Sequence, residues 1–102
     1  MARQHEITAI IYNKRGRVLS IGQNSYSKSH PLQKKHAVQV GQPYKEHIHA
    51  EVAAIIKCRD LSKAYKIKVF RFSADGNPAL AKPCAICCSA IEAAGIKHIE
   101  HT

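Results

Sequence analysis

Two short patterns bring metal-ligand side chains close to a carboxylate. The first, H-A-E, contains His49 and Glu51, and the second, P-C-A-I-C, contains Cys84 and Cys87. An imidazole nitrogen and two thiolates are preferred zinc ligands, and three protein ligands leave a fourth tetrahedral position for water, as in a catalytic site. Zinc lowers the pKa of such water to about 7. We therefore predict zinc ligands at His49, Cys84 and Cys87, with Glu51 as the catalytic proton carrier.

Each pattern is predicted to open a helix. Residues 49–60 are apolar around most of a helical circumference, which predicts a largely buried helix. A second helix is predicted over 84–94, ended by Gly95 at a C-terminal cap position. Cys84 and Cys87 are three residues apart and share one helix face. The partial positive charge of the helix N-terminus favours thiolates there, and Pro83 disfavours helical structure at the residue before it.

Other interpretations of these residues stay open. His49 could pack in the core, and Glu51 could only complement the helix dipole. The two cysteines could be a redox pair, although a thioredoxin-like C-x-x-C normally follows the first strand of its βαβ unit. A structural zinc needs a fourth ligand, and Cys88 is the nearest candidate, but adjacent residues project differently on a helix. We interpret Cys88 as packing beside the ligands and Cys58, placed mid-helix, as core.

The remaining chain predicts a mixed sheet. Residues 7–12 and 17–22 form a β-hairpin, residues 66–73 alternate with the strand period, and residues 96–100 form a short last strand. Residues 23–47 are rich in breakers and predict mostly loop, with a short helical turn around 32–38. The order β-β-α-β-α-β predicts an α/β fold, one mixed sheet with helices packed on it and right-handed parallel crossovers. The length of 102 residues predicts a single domain over 1–102.

Composition narrows the class of protein. The 45% hydrophobic content supports a packed core. The formal net charge of +9, from 16 Lys and Arg against 7 Asp and Glu, favours anionic partners such as nucleotides or nucleic acids, unless it only solubilises the surface. No apolar run approaches the roughly 20 residues that span a bilayer. Because no secretory signal is evident, we expect a cytoplasmic protein whose clustered cysteines serve metal or redox chemistry.

H-x-E followed by P-C-x-x-C is the signature of zinc nucleobase deaminases. With this pair and the β-β-α-β-α-β order, the whole chain resembles the cytidine and deoxycytidylate deaminase superfamily. The resemblance implies that His49, Cys84 and Cys87 bind zinc and that Glu51 shuttles protons. Many members also place an asparagine just after the second strand, where it contacts the substrate sugar, and Asn24 matches that position. Most members continue past the fourth strand with at least one more strand and helix.

The candidate substrate-binding residues are Asn24, Ala50, Pro83 and His30. For Asn24 the alternative is a turn-forming role. His30 lies in a basic loop with Lys28, Lys34 and Lys35, which are predicted either to meet a substrate phosphate or to be solvated. The resemblance also implies a homo-oligomer, since relatives often complete their sites across subunits.

The sequence predicts hydrolytic deamination of a cytosine base to uracil, in a free cytidine or deoxycytidine nucleoside or nucleotide. One alternative is a deaminase acting on cytosine or adenine within single-stranded DNA or RNA, which the basic charge favours. Strand binders usually offer aromatic platforms, and in the long loop only Tyr26 and Tyr44 are aromatic. The other alternative is a non-catalytic, zinc-stabilised nucleic-acid-binding module, in which the carboxylate of Glu51 would have no use.

Overall fold

The structure, a computed structural model, describes residues 7–24, 30–41, 49–72 and 76–102. These residues form four strands, three helices and one short 3-10 turn. The strands are β1 (Ile7–Tyr12), β2 (Val18–Gln23), β3 (Lys66–Arg71) and β4 (His98–His101); the helices are α1 (Pro31–Gln39), α2 (Ala50–Lys57) and α3 (Ala85–Ala93); and the 3-10 turn is Leu61–Lys63.

The strands form one mixed sheet in the order β2-β1-β3-β4. Strand β1 is antiparallel to both β2 and β3, and β3 is parallel to β4, so the predicted mixed sheet is confirmed. The hairpin turn between β1 and β2 is held by Asn13, whose Oδ1 accepts hydrogen bonds of 2.9 Å from the backbone N–H groups of Arg15 and Arg17. Gly16 completes that turn with a φ of +84°, which glycine adopts at little cost.

Helix α2 packs across β1, β2 and β3. Beneath it, the alternating strand pattern buries Ala9 and Ile11 on β1 and Ile67 and Val69 on β3, as expected of a sheet with one face on the core. Helix α3 joins the same core and contacts α2. None of the described helices is long and apolar enough to cross a bilayer.

Helix α1 is more regular than the predicted short turn around 32–38, because it is a nine-residue α-helix. Its N-cap is His30, whose Nδ1 accepts a hydrogen bond of 3.0 Å from the backbone N–H of Leu32. The helix packs against α3, and its buried residues are Gln33, His36 and Ala37. Two of the three are polar, so the helix has no apolar stripe that a periodicity search detects.

Several boundaries differ from the predicted ones. Helix α2 ends at Lys57, and Cys58 is its C-cap with extended backbone, so the prediction that Cys58 lies mid-helix was wrong. Cys58 is half-buried and packs against the core. Strand β3 ends at Arg71, two residues before the predicted end. Helix α3 ends before Gly95 as predicted, with a φ of +78° at the glycine.

Candidate metal centre and active site

The two ligand-bearing segments meet at one end of the sheet. His49 is the N-cap of α2 and Cys84 is the N-cap of α3, and the two helices contact each other. Neither residue's side chain hydrogen-bonds to its own helix N-terminus. Because a cap residue is the last one before the helical turns begin, both side chains project from the helix ends and remain available as ligands.

Three donor atoms converge at this point. Nδ1 of His49 lies 3.2 Å from Sγ of Cys87 and 3.4 Å from Sγ of Cys84, and the three ligand atoms lie within 4.8 Å of one another. Zinc–nitrogen and zinc–sulfur bonds in tetrahedral geometry separate a nitrogen from a sulfur ligand by roughly 3.5 Å. The donor set and its spacing therefore fit a zinc ion.

The two thiols are electrostatically coupled. The pKa of Cys84 is lowered to about 3, chiefly because the Cys87 thiol donates a hydrogen bond to its sulfur, with a smaller contribution from His49. The same hydrogen bond, together with burial, raises the pKa of Cys87. The pair thus behaves as one thiolate and one thiol that share a proton. A coordinated metal ion takes both sulfurs as thiolates, so zinc binding here releases that proton.

Glu51 lies in the first turn of α2, beside the three donors but outside their group. It is only 5% exposed. Burial raises the pKa of its carboxyl group, and a hydrogen bond from Cys87 opposes that rise. A buried carboxyl beside a donor group that could hold a metal ion would be able to exchange protons with a water or substrate bound there.

The start of α2 is fixed by its contact with β2. A Cβ at Gly22 would lie 2.2 Å from the backbone nitrogen of Ala54 and 2.5 Å from the carbonyl oxygen of Ala50, so only glycine permits this approach. Nearby, the buried Oγ of Ser20 donates a 2.7 Å hydrogen bond to the carbonyl of Ala54. These contacts set the distance between α2 and the sheet, and they therefore also set the position of His49 at the N-terminus of α2.

Helix α1 ties both ligand-bearing helices together through residues that the sequence analysis missed. Oε1 of Gln33 accepts a 3.3 Å hydrogen bond from the backbone N–H of His49. Nδ1 of His36 lies 2.8 Å from Oγ of Ser89 on α3. Both α1 side chains are buried, and nothing in their spacing identifies them, because the pairing depends on tertiary contacts.

Thr102 is another positioning residue that the sequence analysis missed. Its backbone N–H donates to the carbonyl of Val69 on β3 (3.0 Å), and its carbonyl accepts from Ala81 (2.8 Å). Its Oγ1 donates to the carbonyl of Ala79 at 2.6 Å. These bonds fasten the segment that leads into Pro83 and Cys84 to the end of β3.

The four predicted substrate-binding residues occupy different settings. Asn24 follows β2 at the ligand end of the sheet, and its Oδ1 accepts a 2.9 Å hydrogen bond from the backbone N–H of Ile7. Ala50 and Pro83 are buried next to His49 and Cys84 in the chain. His30 lies at the α1 N-terminus, where its Nδ1 is engaged as the cap.

Three of the other side chains singled out from the sequence are exposed: Cys88, Lys34 and Lys35. Cys88 is exposed, and its Sγ is 3.6 Å from the carbonyl oxygen of Pro83. It is not one of the three grouped donors. Lys34 and Lys35 are exposed on α1. Lys28, Tyr26 and Tyr44 lie outside the described residues.

The fold and the site together define an α/β domain that holds a His-Cys-Cys metal centre between the N-termini of two helices. The sequence model of the cytidine and deoxycytidylate deaminase zinc-binding region matches residues 2–101. The chain therefore belongs to this family, and the predicted resemblance, fold class and zinc cofactor are confirmed at that level. A comparison with curated proteins finds no match.

Proposed function

We propose that this protein hydrolytically deaminates the cytosine base of a free cytidine or deoxycytidine nucleoside or nucleotide. In this proposal His49, Cys84 and Cys87 hold zinc and Glu51 is the catalytic residue. Membership of the family supports the class of reaction. The observation that carries the proposal is the buried carboxyl of Glu51 beside a group of three donors, His49, Cys84 and Cys87, with no fourth grouped donor among the described residues.

Proton movements in this mechanism fall to Glu51. Zinc, when bound, supplies a Lewis acid that makes water a nucleophile at neutral pH. Glu51 accepts a proton from the attacking water and delivers it to ring nitrogen N3 as the C4–O bond forms. A second proton passes through Glu51 to the amino group, which leaves as ammonia when the C4–N bond breaks. Each transfer by a positioned group contributes about 10²–10⁴-fold in rate.

Substrate contacts are proposed for Asn24, Ala50, Pro83 and His30. Ala50 and Pro83 adjoin the ligands in the chain, so they lie where the walls beside the reacting ring would be. Asn24 stands at the same end of the sheet, and the family pattern assigns it to the sugar. Because Nδ1 of His30 already accepts from Leu32, only its other ring nitrogen is placed to meet a phosphate.

The test is an ammonia-release assay on zinc-loaded protein. The panel contains cytidine, deoxycytidine, their monophosphates, adenosine and single-stranded oligonucleotides with one cytosine or one adenine. We expect turnover of a free cytosine substrate. Turnover confined to oligonucleotides would replace the proposal with strand deamination, which the net charge of +9 favours. No turnover of any substrate would support the non-catalytic module.

Glu51→Gln is the matched control for that assay. Glutamine has nearly the same size, so zinc content and the melting temperature should change little. Turnover should fall by more than the 10²–10⁴-fold of a single proton transfer, mainly in kcat. If Glu51 only complements the helix dipole, its loss instead costs about 0.3–1 kcal/mol of stability. Near-normal turnover with a lowered melting temperature would remove Glu51 from the mechanism.

We also propose that the chain self-associates. The outer side of the hairpin exposes Val18 by 52% and Ile21 by 49%, and a chain of this size gains modest stability from its own core alone. Light scattering across a range of concentrations measures the mass directly. A monomeric mass at the highest concentration would contradict the proposal.

A further inference from the structure

A cleft lies at the end of the sheet opposite the candidate metal centre. It has a volume of about 480 Å³ and is formed by three connections: the β1–β2 turn, residues 61–65 before β3, and residues 94–97 before β4. The metal ligands instead adjoin the other end of β3, so the six-residue strand separates the two places by roughly 17 Å. The volume falls within the range of small-molecule sites, about 300–1,000 Å³.

The lining of this cleft is strongly basic. It includes Lys14, Arg15, Lys63 and Lys97, one or two from each connection, and no acidic residue is among the described lining residues. All four basic side chains line the cleft and are exposed to solvent. The C-terminus of α3 also reaches the cleft and contributes roughly half a unit of negative charge. Four full positive charges outweigh it by several-fold.

The carboxylate of Asp60, which precedes the lining residue Leu61 in the chain, hydrogen-bonds within its own connection. Oδ1 of Asp60 caps the 3-10 turn by accepting from the backbone N–H and the hydroxyl of Ser62. These hydrogen bonds lower the pKa of Asp60. Asp60 shapes the connection that presents Lys63 and does not line the cleft, and its single negative charge still leaves the four basic side chains in excess.

The backbone of all three connections is fixed before any ligand arrives. Asn13 holds the turn that carries Lys14 and Arg15. Gly95 ends α3 with a φ of +78° and precedes Lys97. The backbone of Tyr65 bonds both neighbouring strands, since its N–H donates to Tyr12 (2.9 Å) and its carbonyl accepts from His98 (3.2 Å). A cleft with a fixed backbone loses less conformational entropy when it binds.

We propose that this cleft is a second binding site, for an anion that carries two or more successive phosphate groups. Lysine and arginine side chains from three connections can contact several phosphate groups at once. A single phosphate would need fewer basic side chains. The half-buried ring of Tyr65, whose centroid lies 4.6 Å from that of His98, adds an aromatic wall on which a base can stack. The ligand is either a free polyphosphate or the backbone of a single nucleic-acid strand.

This inference is independent of the proposed deamination, because it requires neither zinc nor Glu51. The probes are inorganic tripolyphosphate and a fluorescent thymidine decanucleotide, which contains no cytosine to be deaminated. The cleft variant is Lys14→Ala/Lys97→Ala. The matched control is Lys57→Ala/Lys82→Ala, which removes the same charge from two exposed lysines that do not line the cleft. Zinc content is measured before and after titration, since polyphosphates chelate metals.

The expected result is binding that weakens roughly 10-fold in the cleft variant and little in the control. Four phosphate contacts to a strand give a slope of log K against log salt of about −2.8, and the cleft variant should reduce it to about −1.4. Binding of tripolyphosphate alone identifies a free polyphosphate, and binding of the decanucleotide alone identifies a strand; either supports the cleft. The absence of binding below about 1 mM, or equal weakening in the control, would overturn the proposal.

Discussion

Gly22→Ala tests how tightly the metal centre depends on the sheet beneath it. The added Cβ would stand 2.2 Å from the nitrogen of Ala54 and 2.8 Å from the carbonyl carbon of Ala53, whereas ordinary contacts begin at 3.4 Å. These neighbours are backbone atoms, so no side-chain rotation relieves the overlap. Helix α2 must rise by about 1 Å, the difference between 2.2 and 3.4 Å, and His49 and Glu51 move with it.

Two magnitudes follow from that displacement. Overpacking of this kind costs typically 1–3 kcal/mol of stability, and each kcal/mol lowers the melting temperature of a domain of this size by roughly 4–8 °C. A 1 Å misplacement of catalytic groups can cost about 100-fold in rate. We therefore expect Gly22→Ala to lower the melting temperature, weaken zinc binding and reduce turnover together.

Gly16→Ala is the control that separates helix displacement from a general loss of stability. Gly16 has a φ of +84°, and among the described residues no atom beyond its two chain neighbours lies within 4 Å of the position that an added methyl group would take. Alanine there therefore strains the hairpin turn itself, at a cost of about 1 kcal/mol or more. It leaves α2 in place. Calorimetry, zinc titration and turnover are measured on both variants. If Gly22→Ala melts, binds zinc and turns over like the wild type, the close approach does not position the site.

Two further predictions concern the ligands and their support. Cys84→Ser should lose zinc and much of the fold, because metal binding couples to folding in small domains, whereas Cys88→Ser should retain both; equal zinc loss by metal analysis would refute the ligand set. Gln33→Leu removes a buried acceptor from the His49 N–H and should cost about 1–3 kcal/mol, measured by denaturation. The control is Gln23→Leu, an exposed glutamine on β2, which should change stability by less than about 0.5 kcal/mol; an equal loss in both would rule out the positioning role.

Much of the fold follows from local patterns in the sequence. The β-branched run of β1 and the alternation of β3 predict strands because each pattern reports one buried sheet face. Helix α2 is predictable because its apolar residues are continuous, and residues 50–55 are all buried. Helix α1 is not predictable this way. Its buried Gln33 accepts a hydrogen bond from the backbone of His49, and its buried His36 pairs with Ser89. Such long-range partners leave no trace in local periodicity.

The residues of the candidate site also separate into those that local sequence patterns identify and those that only the folded chain identifies. The donor group of His49, Cys84 and Cys87 was predictable from residue type and spacing, because zinc restricts which atoms can bind it and a helix start fixes where they point. The residues that hold these ligands in place have no such restriction. Gln33, Gly22 and Thr102 support the site through contacts that exist only in the folded chain, and neither their types nor their spacing identifies them in the sequence.

The donor group depends on contacts between segments that are far apart in the chain. The donors come from the N-termini of α2 and α3, which are separated in the chain by β3, and β3 pairs with β1. Helix α1 bonds both helices, through the backbone of His49 on α2 and the side chain of Ser89 on α3. A zinc ion on the three donors would join the same two helix ends. The metal and α1 would therefore stabilise the same contact between α2 and α3.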